Sequence, residues 1–433
     1  MEQIKIENFA GIKSMEFDFK SINILIGPQG SGKSITVKLL FFFKHFITDI
    51  TSLIYSGGDK KEFDNRQKTI FTNYFPKESW PKGDFQISYI LDTSTIYVKK
   101  NNNKLTIGYS ENIKKAISKA ISIYAGRKTN TDKNTSMISL FLNPTKEIED
   151  YIGNEISTVA TYEQFFIPAG RSFFANIQKN IFSFLNDNRS LDPFLIKFGS
   201  SYENLKSYVN EINNKQDKDF NEIASQILNS NYLREKDKDF LIHSDSRKVN
   251  LSNASSGQQE TLPLIVILKA LNEFNYLKDD PQRSQISIEN DGDGIYSIRP
   301  RRGATLYIEE PEAHLYPTAQ KRIVQLLART FNNKKSNFQI IVTTHSPYIL
   351  SSFNNLLQAG RLAVLKPNRF EDIEKIIPKE EQIAPGLFCA YSLNNGEKKI
   401  LIDEETQLIS QTTLDSVSNE IADEFGNLLD IEF

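Results

Sequence analysis

The chain has 433 residues, of which 39% are hydrophobic and 24% charged, and a formal net charge of −2. This composition is typical of a globular protein, and the length predicts two lobes rather than one small core. No apolar run reaches the roughly eighteen residues of a membrane span. The single cysteine, Cys389, excludes a disulfide framework and a thiol zinc site, and is predicted to be a buried thiol. The near-neutral charge excludes a broad positive field for nucleic acid or anionic lipid.

Two strands are predicted at the N-terminus, over residues 3–9 and 15–26, with a turn around Gly11. The first residues alternate polar and apolar side chains and lack the basic and then apolar pattern of a signal peptide. We therefore expect a cytoplasmic protein. The second strand ends in the apolar run Ile22–Ile26, and a glycine-rich loop follows directly.

That loop satisfies the pattern G-x-x-x-x-G-K-[ST], and a helix is predicted from Lys33 to about Ile54. Strand, loop and helix in this order are the context of a phosphate-binding loop, whose glycines let backbone N–H groups surround phosphate oxygens. Lys33 is predicted to contact the β- and γ-phosphates of ATP, and the Ser34 hydroxyl to bind Mg²⁺. The alternative is an ordinary glycine turn that opens a helix. The predicted nucleotide-binding residues are Gly27, Pro28, Gln29, Gly30, Ser31, Gly32, Lys33, Ser34 and Ile35.

The rest of the chain divides into segments of different pattern. Residues 85–109 alternate and break at Asn101 to Asn103, which predicts an antiparallel meander beside the nucleotide lobe. Residues 111–244 are predicted to form a mainly helical insertion with one core strand at Gln164 to Pro168. Residues 277–302 are predicted to be a surface loop. The predicted head therefore comprises residues 1–110 and 245–400.

The C-terminal part is predicted to contain a hairpin that turns at Asn394 to Gly396 and then, within residues 401–433, an amphipathic helix. The apolar residues of this helix are Leu414, Val417, Ile421, Phe425 and Leu428.

An apolar strand from Ala304 to Ile308 ends in two carboxylates, Glu309 and Glu310. In P-loop ATPases the first acid of such a pair holds Mg²⁺ and the second activates the attacking water. Glu309 is therefore predicted as a metal residue and Glu310 as the catalytic base. The alternative is a strand end solvated by two acids. The usual first residue is aspartate, so the glutamate at 309 departs from the common pattern.

Between these motifs lies Asn253 to Glu260, which precedes a helical apolar run from Leu262 to Leu271. Ser255, Gly257 and Gln258 match the Leu-Ser-Gly-Gly-Gln signature of ABC-type ATPases, which the segment resembles. In that family the helix start contacts the γ-phosphate held by the other subunit, which implies a role here for Ser255, Ser256, Gly257 and Gln258. A plain serine N-cap is the alternative.

A further apolar strand from Gln339 delivers His345, which resembles the switch histidine of ABC-type ATPases. A neutral imidazole there both donates and accepts a hydrogen bond, which suits a group that senses the γ-phosphate. The four motifs follow the family's order. The chain is thus identified as a member of the ABC-type ATPases, and the resemblance implies an α/β P-loop NTPase head with a mixed central sheet, an antiparallel side sheet and a helical insertion.

The phrase from Ile308 to Pro317 and the later Thr344 to Pro347 resemble the RecF, SMC and OLD-nuclease branch of that superfamily. Glu312 and His314 match the dimer-contacting loop of the family. Arg171 is expected near the nucleotide lobe, with a structural role as the alternative. The separation of Lys33 from Ser255, 222 positions, disfavours a transporter ATPase.

No nuclease motif is found after His345. Asp291-Gly292-Asp293 is interpreted as a surface turn, and Asp403-Glu404-Glu405 as a solvated hairpin end. As a stand-alone ATPase of this shape, the chain resembles the ATPase subunits of anti-phage systems such as Septu and PARIS. This resemblance implies a nucleotide-bound dimer with a second copy of the chain, and a separate effector or nuclease as partner.

Two other hypotheses remain open. One is a RecF-like repair ATPase that binds DNA on ATP-dependent dimerisation, which requires a basic groove. The other is a non-enzymatic protein in which the nucleotide only holds an assembly together.

Overall fold

The computed structural model describes residues 1–129, 137–176, 192–206, 218–235, 238–277, 288–291, 294–297, 303–333, 337–410 and 423–424. The strands are β1 Glu2–Phe9, β2 Ile12–Phe19, β3 Ile22–Ile26, β4 Phe85–Leu91, β5 Ser94–Asn101, β6 Lys104–Tyr109, β7 Glu163–Ile167, β8 Asn231–Glu235, β9 Lys238–Ile242, β10 Lys248–Asn250, β11 Ile288–Asp291, β12 Gly294–Ser297, β13 Ala304–Glu309, β14 Phe338–Thr344, β15 Phe388–Asn394 and β16 Glu397–Ile400.

The helices are α1 Lys33–Asp49, α2 Leu53–Ser56, α3 Lys60–Tyr74, α4 Glu111–Thr129, α5 Met137–Glu155, α6 Phe173–Asn176, α7 Pro193–Lys206, α8 Lys218–Leu228, α9 Ser256–Leu277, α10 Pro317–Phe331, α11 Pro347–Leu365 and α12 Phe370–Ile376. Short 3₁₀ segments occupy Ile50–Ser52, Lys77–Ser79, Thr158–Thr161, Leu251–Asn253, Pro367–Arg369 and Lys379–Glu381.

Two sheets organise the head. The central sheet has the order β16-β15-β3-β14-β13-β7. Its pairing of β15 with β16 is antiparallel, and the other four pairings are parallel. The side sheet is antiparallel, with the order β2-β1-β4-β5-β6. The strands β13 and β14 are buried along their whole length, as expected for parallel strands covered on both faces. The predicted α/β architecture, a mixed central sheet with an antiparallel side sheet, is confirmed.

Helix α1 lies between the two sheets and is apolar around much of its surface, which is typical of a helix enclosed by the core. Phe41 is fully buried and contacts the rings of Tyr74, Phe166, Phe194 and Tyr307 at centroid distances of 5.4 to 6.1 Å. The helix that follows the glycine-rich loop is therefore held by aromatic packing against α3, β7, α7 and β13.

Replacing this ring tests how much the packing contributes. We expect Phe41→Ala to lower the free energy of unfolding by about 3–5 kcal/mol, because it leaves a cavity in a closed core. Urea unfolding followed by circular dichroism measures the change. Tyr316→Ala is the control: this tyrosine is 77% exposed, so its loss is expected to cost less than about 0.5 kcal/mol. Equal losses for the two variants would contradict the expectation.

The predicted second strand, residues 15–26, is wrong as one element. It consists of β2, whose alternating side chains belong to the side sheet, and β3, which lies in the central sheet. The Asn23 side chain fixes the crossing between them: its Oδ1 accepts from the Lys20 N–H (2.7 Å) and its amide donates to the Lys20 carbonyl (2.7 Å). A continuous apolar pattern hides this break, because both halves bury every second side chain or more.

The middle segment, residues 111–244, contains strands besides its helices. The strand predicted at Gln164 to Pro168 is confirmed as β7, but it forms an edge of the central sheet of the head. Strands β8, β9 and β10 form a three-stranded sheet that the sequence analysis missed. Its pattern is masked by a buried polar cluster, in which Tyr232 donates to Asp239 (2.6 Å) and Lys206 pairs with Asp239 (2.8 Å). The division into head and insertion stays a prediction.

Three other segments have clear outcomes. The loop predicted over 277–302 is wrong for β11 and β12, which pair with each other, while Gly292 and Asp293 lie outside the described residues. The hairpin at Asn394 to Gly396 is confirmed, with positive φ at both turn residues, 50° and 80°. The apolar residues that define the predicted C-terminal helix lie outside the described part of the chain; they are Leu414, Val417, Ile421, Phe425 and Leu428.

Candidate functional site

The carboxyl ends of three parallel strands meet at one edge of the central sheet. Thr344 of β14 pairs with Ile26 of β3, and Glu309 of β13 pairs with Thr343 of β14. The glycine-rich loop, His345 and Glu310 each follow directly on one of these strands. The topology therefore brings the three predicted motifs to the edge where α/β sheets bind ligands.

The glycine-rich loop has the backbone of a phosphate cradle. Gly27, Gly30 and Gly32 have φ values of 155°, 73° and 96°. A Cβ at Gly27 would lie 2.0 Å from the Leu393 carbonyl oxygen, so only glycine fits there. Four residues of the loop are exposed: Pro28, Gln29, Gly30 and Ser34. Two are half-buried, Ser31 and Ile35. The positive φ values and the exposure of the loop are those that a phosphate-binding loop requires.

Lys33 begins α1 and turns back into this loop. Its ammonium donates to the carbonyls of Gly27 (2.7 Å) and Pro28 (2.8 Å). Burial lowers the pKa of Lys33 by disfavouring the charged form, while the nearby carboxylates of Glu310 and Glu312 oppose this effect. A lysine desolvated in this way and facing carboxylates is a ready partner for the anionic oxygens of a triphosphate.

Glu309 fits the metal role that the sequence predicted. Its side chain is buried, and Oε2 accepts a long hydrogen bond from the Ala169 N–H (3.4 Å). Among the described residues, Oε1 has no hydrogen-bond partner although it is buried, and an unpaired buried carboxylate oxygen requires a cation or water. Mg²⁺ in nucleotide sites uses one or two protein ligands and takes the rest from phosphates and water. Glu309 and the Ser34 hydroxyl are the residues that would hold it.

A Mg²⁺ ion at Ser34 and Glu309 does not require further protein ligands, since phosphates and water supply the others. Within the ranges that the structure covers, no group of three or more His, Cys, Asp or Glu side chains is arranged to hold a metal ion. Asp403 instead closes a turn by accepting from the N–H (2.7 Å) and hydroxyl (2.8 Å) of Thr406. The interpretation of residues 403–405 as a hairpin end agrees with these contacts.

Glu310 has a left-handed backbone, with φ of 43°. Its N–H donates to the Thr343 carbonyl (2.9 Å), and its own carbonyl accepts from the Ala313 N–H (3.1 Å). Such a conformation costs a glutamate on the order of 1–3 kcal/mol, and it persists only where the surroundings impose it. Its carboxylate Oε1 lies 3.4 Å from Nε2 of His345, and both side chains reach solvent. The predicted base and the predicted switch histidine are therefore in contact.

Helix α9 begins at Ser256, and Ser255 is its N-cap. The Ser255 N–H donates to Gln258 Oε1 (3.1 Å), and the Gln258 N–H donates to Ser255 Oγ (3.4 Å), which is a capping box. The N-cap alternative is thus present in the structure. It leaves Ser255 and Ser256 exposed, and the first N–H groups of a helix have no carbonyl partner within it. The cap and a phosphate contact are compatible.

The start of α9 also packs on the loop between β13 and α10 of the same chain, residues 310–316, which is called the acid loop below. A Cβ at Gly257 would lie 2.8 Å from the His314 carbonyl oxygen, so the helix and the loop touch at backbone level. The Gln258 amide donates to the Leu228 carbonyl at the end of α8 (2.7 Å). The signature segment is therefore in contact with both the acid loop and the middle segment.

Glu312 has a role that the sequence analysis missed. Its Oε1 accepts from the Thr344 hydroxyl (2.7 Å) and from the His345 N–H (2.7 Å), so it holds the backbone of the predicted switch histidine of its own chain. Its Oε2 is buried and, among the described residues, has no hydrogen-bond partner. The spacing of Glu312 from Glu310 gave no signal for this contact, because it joins two loops at the sheet edge.

Removing this anchor is expected to disturb the site. We expect Glu312→Ala to lower the rate of phosphate release about tenfold or more, because His345 loses the acceptor that fixes its backbone. Glu312→Gln retains one acceptor oxygen and is expected to keep more of the rate. A colorimetric phosphate assay measures both variants. The expectation fails if the alanine and glutamine variants are both as active as the unmodified protein.

Comparison with known proteins identifies the family. The model of the family "AAA domain, putative AbiEii toxin, Type IV TA system" matches residues 22–351, a span that includes the glycine-rich loop, the signature segment, the acid pair and His345. The chain belongs to this family. It is a P-loop ATPase, and ATP and Mg²⁺ are the ligands that such ATPases generally use. No curated protein matches the chain.

Solved structures of SMC heads are similar to the chain. They include the SMC head domain from Thermotoga maritima (14% identity, 92% of this chain and 97% of that chain, TM-score 0.36). The SmcHead bound to the C-winged helix domain of ScpA has 11% identity over 95% of this chain and 98% of that chain, with a TM-score of 0.38. A Smc head from Pyrococcus furiosus, bound to the C-terminal domain of ScpA, has 11% identity over 98% of this chain and 100% of that chain, with a TM-score of 0.37. Within the described residues, no helix is long and apolar enough to cross a bilayer.

Proposed function

We propose that two copies of this chain close on ATP, hydrolyse it, and thereby control a separate effector or nuclease, as a bacterial anti-phage system requires. The observation that carries the proposal is the exposed start of α9. Ser255 and Ser256 face solvent at a helix N-terminus, while the phosphate-binding loop and acid pair lie at the edge of the central sheet. A helix start with free N–H groups binds an anion, and a second copy would supply that anion.

Each side chain has a chemical task in this proposal. Lys33 and the backbone from Gly27 to Ile35 bind the phosphates, and Glu310 accepts the proton of the attacking water. His345 donates to the γ-phosphate and loses that contact when phosphate leaves. Mg²⁺, held by Ser34 and Glu309, would neutralise charge on the β- and γ-phosphate oxygens. The contact of Glu310 with His345 at 3.4 Å supports a shared task for the two.

The proposed effector role has a basis separate from the chemistry. The family description names a putative toxin of a type IV toxin–antitoxin system, which is in keeping with a defence function. Nucleotide-dependent closure of a dimer changes which surfaces are exposed, and this change can hold or release a bound protein. The middle segment contacts the signature through Gln258 and Leu228, and is the surface that we propose the effector contacts.

Light scattering and phosphate release test the proposal together. The purified protein is expected to double in mass with ATP and Mg²⁺ when hydrolysis is blocked, and to return to a monomer with ADP. The protein product of a neighbouring gene is expected to co-purify in only one of the two nucleotide states. A mass that does not change with nucleotide would contradict the proposal. Phosphate release that duplex DNA stimulates, with a steep dependence on salt, would favour the repair hypothesis.

A further inference from the structure

Arg171 lies in the turn after β7 and is fully buried. Its Nε–H donates to the Glu260 carbonyl (3.0 Å), and Nη1 donates to the carbonyls of Pro168 (2.9 Å) and Glu309 (2.7 Å). Nη2 donates to the Glu310 carbonyl (3.1 Å). A planar guanidinium is suited to such a fork, because its donors point in fixed directions. The side chain therefore joins the end of β7, helix α9 and both residues of the acid pair.

Glu260 completes this junction from the second turn of α9. Its Oε1 accepts from the Arg171 N–H (3.0 Å) and lies 3.4 Å from Arg171 Nη2, and its Oε2 accepts from the Ser172 N–H (2.8 Å). Both members of the ion pair are buried. Because the carboxylate fixes the arginine by its backbone and by its charge, α9 cannot move without moving Arg171 or breaking buried bonds.

The backbone of Glu310, which accepts a hydrogen bond from Arg171, is strained. Glu310 has a left-handed backbone, which is unfavourable for a side chain larger than glycine. Its carbonyl is bonded to Arg171 and to the Ala313 N–H, and its N–H to Thr343. These bonds determine where its carboxylate points. A small displacement of Arg171 would therefore change the direction of that carboxylate.

We propose that Arg171 and Glu260 are a positioning pair that couples nucleotide binding at the start of α9 to the orientation of the Glu310 carboxylate. This inference rests on the proposed function. When the nucleotide of the partner subunit binds the exposed start of α9, the helix shifts as a rigid body and carries Glu260 with it. Arg171 follows and moves the Glu309 and Glu310 carbonyls. The Glu310 carboxylate is thereby oriented to activate water only in the closed dimer.

A second contact makes α9 and the acid loop move together. Gly257 lies against the His314 carbonyl, with no room for a Cβ. The helix thus contacts the loop directly at its first turn through Gly257. At its second turn it is connected to the loop through Glu260 and Arg171. Two contacts on one helix restrict rotation as well as translation, which is what a link between two sites requires.

Arg171→Lys tests the fork without removing the charge. A lysine satisfies Glu260 electrostatically but cannot reach the carbonyls of Pro168, Glu309 and Glu310 in one plane. We expect kcat for ATP to fall about a hundredfold with KM changed by less than about twofold, because the catalytic group is misplaced while the phosphate cradle is intact. ATP-dependent dimerisation is expected to persist. Saturation curves of phosphate release and light scattering measure these quantities.

Lys44→Met is the matched control. Lys44 is also a fully buried cation, pairs with Glu2 at 3.2 Å, and donates to Gln339, but it lies on α1 and contacts neither acid of the pair. We expect Lys44→Met to lower the melting temperature at least as much as Arg171→Lys while kcat stays within about twofold of the unmodified protein. Equal losses of kcat in the two variants would mean that the loss follows from general destabilisation and not from the Arg171 fork, and would overturn the inference.

Glu260→Gln is the second variant, since it retains the shape of the side chain and one acceptor oxygen. It is expected to lower kcat with KM unchanged, even if Arg171→Lys fails to fold. Folded Arg171→Lys and Glu260→Gln proteins that hydrolyse ATP at the normal rate would overturn the inference. An unmodified protein that neither dimerises with ATP nor exceeds the rate of Glu310→Gln would instead contradict the proposed function, so the two failures are distinguishable.

Discussion

Glu310→Gln is expected to reduce phosphate release by about two to four orders of magnitude, the usual contribution of a general base. Glutamine has the same shape and can hold the same left-handed backbone, whose φ is 43°. It cannot accept the proton of the attacking water. Because the P-loop and Lys33 are unchanged, ATP still binds, and the closed dimer is expected to last longer. Phosphate release and light scattering on the same sample measure both effects.

Glu374→Gln is the control for this substitution, because Glu374 is an exposed carboxylate on α12 and is not part of the site. Its rate is expected to equal that of the unmodified protein. Equal rates for the unmodified protein and Glu310→Gln would show that the chain does not catalyse hydrolysis through this residue. Such a result would favour the hypothesis in which nucleotide only holds an assembly together.

The site motifs were predictable from the sequence because each is local. The glycine-rich loop needs small residues at fixed spacing, and the strands before Gly27, Glu309 and His345 are short apolar runs that end in chemistry-bearing residues. Parallel pairing then brings those ends to one edge, as the register of Thr344 with Ile26 shows. A pattern of strand, loop and helix is therefore enough to predict which edge of the central sheet carries the candidate site.

The links between the motifs were not predictable in the same way. Glu312 bonds to Thr344 and His345 across two loops, and Arg171 bonds to Glu260, which is 89 positions away in the chain. No local spacing encodes such contacts, since they depend on where the strands and α9 are placed by the whole core. For Arg171 the sequence left a structural role and a place near the nucleotide lobe as alternatives. Its buried side chain, which donates to the carbonyls of both acids, agrees with both.

A mixture of two inactive variants is expected to recover activity if the site is shared between two copies. Lys33→Ala removes the phosphate-binding ammonium but leaves the signature. Ser256→Glu places a carboxylate at the exposed first residue of α9. An acid there suits the helix dipole, so the helix is expected to remain folded. The same carboxylate would repel the γ-phosphate of a partner, and each variant alone is expected to be nearly inactive.

In the mixed dimer, the P-loop of the Ser256→Glu chain faces the intact signature of the Lys33→Ala chain. Equal amounts are expected to regain up to about a quarter of the original activity, since half of the randomly paired dimers carry one intact site of two. Ser351→Glu, which adds a carboxylate to the exposed surface of α11, is the control and should leave the rate unchanged. If the two folded variants form mixed dimers without recovering phosphate release, each copy completes its own site, because the signature is then not contributed by the partner.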